Sequence, residues 1–290
     1  MQKNLQGNIM SLFSKKKKLI ISGCSYTHNY AKTQNLKEFP IWGELLADQL
    51  DMELINLSKC GFGNKAIYTT LVEKMIAEKN VGLVVAMWSE WQRMSWYLDP
   101  DSLSHLPKQY RDPDPWRCFL PERIVLDAQW HDKFYKPPAE NPKKKSIKYK
   151  LGKMIRETGM DSLRAGIVES LGYIFAFQCI CESMNIPYLQ IQGCRATMYK
   201  SIPHINSEID NRLANFLIDG PYIDKINDNF IGWPIILSIG GYSYDSLLDN
   251  GHGNPHEYEY RISEEDSHPN SEGNKLIYGV LYDEYKKIYS

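Results

Sequence analysis

LIISGCSYTHNY, residues 19–30, is a short apolar run that breaks at Gly23 into cysteine, serine, tyrosine and threonine. With Lys18 it reads as a buried strand, KLIIS, ending in a glycine turn. Glycine permits a sharp turn there, and the residues after it can face a crevice with backbone N–H groups free to bind an anion.

Outward from this strand, apolar runs alternate with helical patterns. PIWGELLADQL, beginning at Pro40, spaces Trp42, Leu45, Leu46, Gln49 and Leu50 by threes and fours, the stripe of an amphipathic helix. ELINL is a second strand, and Ile67, Leu71, Met75 and Ile76 mark a second helix. GLVVAM, residues 82–87, is apolar throughout, as a strand covered on both faces should be. A long run through Leu163, Ile167, Leu171, Ile174 and Gln178 stops at Asn185, IPYLQIQG is a fourth strand, and a last helix runs from Ser271 to Tyr289. Strands separated by helices imply right-handed βαβ units, hence an α/β fold with a parallel sheet between two helical layers.

Two stretches interrupt the rhythm. Residues 92–160 are rich in Pro, Trp, Tyr and charge, with lysines at 143, 144, 145, 148, 150 and 153; residues 219–262 are rich in Gly, Asn, Asp and Tyr. Both read as insertions that shape a binding face, the lysine run being a solvated surface. Residues 1–14 have no periodicity and read as a loose tail, leaving 15–290 as one domain.

The net charge of −1, with basic and acidic residues mixed along the chain, argues against a nucleic-acid partner. The six cysteines form no CxxC pair, and Cys179 and Cys181 read as small core residues, so reduced thiols in a cytoplasmic protein are expected. Lys15–Lys18 followed by LIISGC looks like a lipoprotein start, but three apolar residues fall short of the roughly 7–15 a signal needs. No run suggests the roughly 20 apolar residues of a membrane span.

In an open parallel sheet, ligands sit beyond the carboxyl ends of the strands, where the strand order reverses. Ser25 stands at such an end, and a serine becomes a nucleophile only beside a base. EEDSHPN supplies one: Glu265 and Asp266 precede His268 on one loop, where a carboxylate can orient the imidazole ring. NLSKCGFGN, after the second strand, carries Asn56, Gly61, Gly63 and Asn64, which can give a backbone N–H and a side-chain amide to a developing oxyanion. His28, three residues after Ser25, reads as flanking the pocket.

Together GCSYT, NLSKCGFGN and EDSHPN resemble the blocks of the SGNH hydrolases, the GDSL-like lipases and esterases. The resemblance implies a three-layer α/β/α sandwich with a flavodoxin-like sheet, a serine block, glycine and asparagine blocks building an oxyanion hole, and a late block with acid and base. It assigns Ser25 as nucleophile, His268 as base and Asp266 as its orienting acid, with Gly61 and Asn64 at the oxyanion. Glu265 holds the family's position three before the histidine, so it competes with Asp266. Cys24 replaces an acidic residue, and AMWSEWQRM after the third strand lacks the asparagine, leaving Asn64, Ser89 or Arg93 as replacements.

The expected substrate is an acyl or acetyl ester of a carbohydrate or other small polar molecule, with no cofactor and no metal. The tryptophans 88, 91, 96, 116, 130 and 233 suit stacking on a sugar or acyl chain. The alternative is a non-hydrolytic binding or group-transfer protein that keeps the fold without a full oxyanion hole.

Overall fold

The computed structural model describes residues 16–99, 115–122, 124, 147–196, 203–249 and 258–290. Its strands are β1 (Lys18–Ser22), β2 (Glu53–Asn56), β3 (Val81–Trp88), β4 (Met94–Tyr97), β5 (Trp116–Phe119), β6 (Tyr188–Gln192) and β7 (Phe230–Ile231). Its helices are α1 (Tyr30–Thr33), α2 (Trp42–Gln49), α3 (Asn64–Ala77), α4 (Ile147–Glu157), α5 (Leu163–Ser183), α6 (Pro203–Ile218), α7 (Tyr244–Leu248) and α8 (Ser271–Tyr289).

Side chains alternate across a strand, and this period of two divides the core into two layers. Ile20, Val84, Ala86 and Trp88 face one side, packed with Ile67 and Leu71 of α3 and with Ile167, Leu171, Ile174 and Phe177 of α5. Leu19, Ile21, Leu83, Val85 and Met87 face the other, against Trp42 and Leu46 of α2, Leu248 of α7, and Ile277 and Leu281 of α8. Each such fully buried aliphatic side chain contributes about 1.5–3 kcal/mol relative to exposure. The result is a three-layer α/β/α sandwich.

All pairings in the main sheet are parallel, in the order β2-β1-β3-β6-β7. The chain therefore leaves β1 toward one edge and returns on its other side at β3. The carboxyl ends of β1 and β3 flank the reversal, so Gly23–Thr27 and the Ser89–Arg93 stretch share one crevice.

Several expectations need correction. The helix expected from Pro40 begins at Trp42, with Ile41 as its cap. Ile76 and Cys179 are exposed, each on the outward face of its helix. The expected insertions carry structure: β4 and β5 form an antiparallel pair in the first, and the second supplies β7, the edge of the main sheet. Helix α5 is long and apolar enough by composition to cross a bilayer, but it lies against the sheet with Ile167, Leu171, Ile174 and Phe177 buried. Trp88 and Trp91 are core residues whose indole N–H groups donate to Gln190 and Gln192, so neither stacks on a ligand. Residues 1–14, Trp130 and lysines 143–145 lie outside the described residues, whereas Lys150 and Lys153 are exposed on α4.

Candidate active site

The turn after β1 depends on Gly23. A Cβ there would lie 2.1 Å from the Thr27 hydroxyl and 3.1 Å from the Met87 carbonyl, so any side chain would push the loop off β3. The N–H groups of Thr27 and His28 both donate to the Cys24 carbonyl, at 3.1 Å each, closing a tight turn with Ser25 at its half-buried tip.

His268 comes from 243 positions later in the chain, with Nε2 2.8 Å from Ser25 Oγ. Its Nδ1 lies 2.6 Å from Asp266 Oδ1, which also accepts the His268 backbone N–H at 3.1 Å. A proton on Nδ1 facing the carboxylate leaves Nε2 as the acceptor for the serine hydroxyl. Asn270 caps α8 immediately afterwards by accepting from the Gly273 N–H, which fixes where the histidine loop ends. Glu265 instead accepts from Ser263 Oγ at the surface, so the carboxylate beside the ring is Asp266.

Burial alone raises the Asp266 carboxyl, but hydrogen bonds from the His268 side chain and backbone outweigh it and hold the group below its ordinary value of 3.8. Tyr30 stacks on the imidazole, ring centroids 3.6 Å apart and nearly coplanar at 11°. Burial and the neighbouring Asp266 push its phenol up to about 12. The sequence reading missed Tyr30, which stands five positions after Ser25 at the start of α1.

A second set of buried groups fixes the histidine loop from behind. Arg261 Nη1 donates to the carbonyl of Ser267, the residue before His268, and Nη2 donates to Asp245 at 3.0 Å. Arg261 Nε donates to Asp249 at 2.8 Å, and Arg195 pairs with both aspartates at 3.2 Å. Tyr26, next to the serine, donates its hydroxyl to Asp245 at 2.9 Å. Two arginines against two aspartates leave the cluster neutral, as buried charge requires. Nothing local in the sequence marks these residues as partners.

The loop after β2 lies along the serine turn. Asn56 donates its amide to the Thr27 carbonyl and accepts from Ser58, and His28 Nδ1 faces the Ser58 carbonyl at 3.1 Å. His28 therefore joins two loops. Gly61, at the loop's apex, has φ +85°, a left-handed conformation that favours glycine. Neither the Ser25 nor the Gly61 N–H donates to another group among the described residues.

Asn64 does not fit the oxyanion role expected of it. It is buried, its amide donates to the Ser89 carbonyl at 3.3 Å and to Ser170 at 2.9 Å, and its carbonyl accepts the Ser89 N–H at 2.8 Å. Nor is it the helix cap, which is Gly63. Ser89 Oγ donates to Glu90 at 2.6 Å. Cys24 is buried with its sulfur 3.3 Å from that of Cys194, whose hydrogen bond lowers the Cys24 thiol. A cavity of about 60 Å³ lies beside Arg93, lined also by Lys65, Trp96, Glu169 and Tyr173.

The serine after the first strand and the histidine before the last helix, on a sheet whose order reverses beside the serine, are the layout that the resemblance to SGNH hydrolases implies. No protein-family model matches the sequence, and a search of curated proteins gives no match. The chain is similar to the solved psychrotrophic esterase EstA from Pseudoalteromonas sp., at 12% identity over 93% of this chain and 97% of that one, with a TM-score of 0.43. It is also similar to the acetyl xylan esterase AlAXEase, at 16% identity over 92% and 98% of the two chains with a TM-score of 0.39. A member of the lipolytic protein G-D-S-L family from Veillonella parvula shows 10% identity over 94% and 98%, with a TM-score of 0.29.

Proposed function

We propose that this protein hydrolyses esters through Ser25. The observation that carries the reading is the unbroken relay from Ser25 Oγ to His268 Nε2 at 2.8 Å and from His268 Nδ1 to Asp266 at 2.6 Å. His268 takes the serine proton as Oγ attacks the ester carbonyl, and Asp266 stabilises the imidazolium that forms. The unpaired N–H groups of Ser25 and Gly61 receive the oxyanion of the tetrahedral intermediate. Protonated His268 then donates to the leaving alcohol, and water repeats the sequence on the acyl-enzyme.

The substrate class is an acyl or acetyl ester of a carbohydrate or another small polar molecule.

A fluorophosphonate probe tests the reading directly. Wild type should take up one probe at Ser25 and turn over p-nitrophenyl acetate, and Ser25→Ala should do neither while keeping its melting temperature. Wild type that stays unlabelled and inactive across a broad ester panel would return the protein to the binding or group-transfer reading.

A further inference from the structure

The crevice has two backbone donors for an oxyanion, and the three side chains beyond them that could contribute are Asn64, Ser89 and Arg93. The amide of Asn64 is taken by the Ser89 carbonyl and Ser170, and the Ser89 hydroxyl is taken by Glu90. Arg93 remains. Its Nη2 donates to Glu90 Oε1 at 2.8 Å and lies 2.7 Å from Oε2, so one edge of the guanidinium is held by the carboxylate. Among the described residues no group accepts from Nη1, and Nε is buried with no partner.

The free edge lies at the oxyanion side of the crevice. A Cβ built on Gly61 would sit 3.5 Å from Nη1, so Nη1 lies next to the residue whose N–H is unpaired. The charge also reaches the thiols of Cys24 and Cys60, which immediately precede the two backbone donors: it adds to the Cys194 hydrogen bond that lowers Cys24 and opposes the burial that raises Cys60. A largely buried cation is tolerated here because Glu90 neutralises it: burial raises the Glu90 carboxyl, but Arg93 and the Ser89 hydroxyl more than reverse this and keep it ionised.

We propose that Arg93 is a catalytic residue whose Nη1 donates to the oxyanion beside the N–H groups of Ser25 and Gly61, with Glu90 as the positioning residue that holds the guanidinium. The inference rests on the hydrolase reading above. A neutral Glu90–Arg93 pair adds little to the binding of a neutral ester, but a free guanidinium N–H gains a charge-assisted hydrogen bond once the carbonyl oxygen becomes anionic. The side chain thus takes, with a full charge, the role that an amide plays in the family this chain resembles.

The test compares kcat and KM for p-nitrophenyl acetate in wild type, in Arg93→Lys, and in the double variant Glu90→Gln/Arg93→Met, which removes both charges together and leaves no buried ion unpaired. In the folded double variant kcat should fall about a hundredfold to a thousandfold, the usual loss for one oxyanion donor, with KM within about threefold of wild type. Arg93→Lys keeps a cation beside Glu90 but loses the fork that reaches both partners, so kcat should fall at least about tenfold while the melting temperature stays close to wild type. Either variant turning over at the wild-type kcat, or losing activity only through KM, overturns the proposal while the hydrolase reading stands. Wild type that neither labels at Ser25 nor hydrolyses any ester overturns both.

Discussion

At Ser25 everything turns on which nitrogen of His268 carries the proton. Asp266 accepts from both the ring and the backbone of His268, so it sets the tautomer and the ring orientation together. Replacing it with asparagine keeps the shape but favours the wrong tautomer, and kcat should fall about 10⁴-fold in steady-state assays with the fold intact. Glu265→Gln, on a side chain occupied by Ser263, should leave kcat within about twofold of wild type. Stability responds to the same carboxyl. Its folded pKa lies below 3.8, so its contribution is complete above that value and is lost as pH falls through the lower folded one. The gap in melting temperature between wild type and Asp266→Asn should therefore be widest near neutrality and close on acidification below pH about 4, as a thermal-shift series across pH will read.

At the scale of elements, Asn64 shows how one side chain can be reassigned by its neighbours. It sits in the first turn of α3 and bridges to the loop after β3 and to Ser170 on α5, so it joins three elements. Asn64→Ala would leave the Ser89 N–H without its partner in a buried setting. The expected cost is about 1–3 kcal/mol in urea unfolding, with turnover per folded molecule changed less than about threefold. A hundredfold loss of kcat without a loss of stability would restore Asn64 to the oxyanion. The same loop is held closely from the other side: a Cβ on Gly166 of α5 would lie 2.6 Å from the Trp91 carbonyl, so the helix meets the backbone that carries Arg93 directly.

For the whole molecule, the relay depends on a segment that reads in sequence as an insertion. Asp245, Asp249 and Arg261 come from that segment or its end, and Arg195 from the loop after β6; together they clamp Ser267 and hence His268. Arg261→Met would remove one cation from two buried carboxylates and should cost about 3–5 kcal/mol in chemical denaturation, with slower fluorophosphonate labelling of the molecules that remain folded. Unchanged stability would mean that Arg195 alone suffices to balance the pair.

What the sequence determined by itself is the part governed by short-range periodicity and local chemistry. Runs such as KLIIS and GLVVAM have one stable burial solution, the helices around Ile67 and Leu171 follow from their apolar stripes, and the last helix reads from Ser271 to Tyr289, the bounds it has in the structure. Ser25 after a glycine turn and His268 beside a carboxylate were legible as well, because each bears its chemistry within a few residues. The tertiary structure decided the rest. Asp266 rather than Glu265 meets the ring, on a loop that Arg261 holds at the Ser267 carbonyl. Whether Asn64 is free depends on Ser89 and Ser170, 25 and 106 positions away. Trp88 and Trp91 could read as ligand platforms until Gln190 and Gln192 from β6 claimed their indole N–H groups. A polar side chain's role is set by the partners that compete for its hydrogen bonds, and those partners are chosen by packing between segments far apart in the chain.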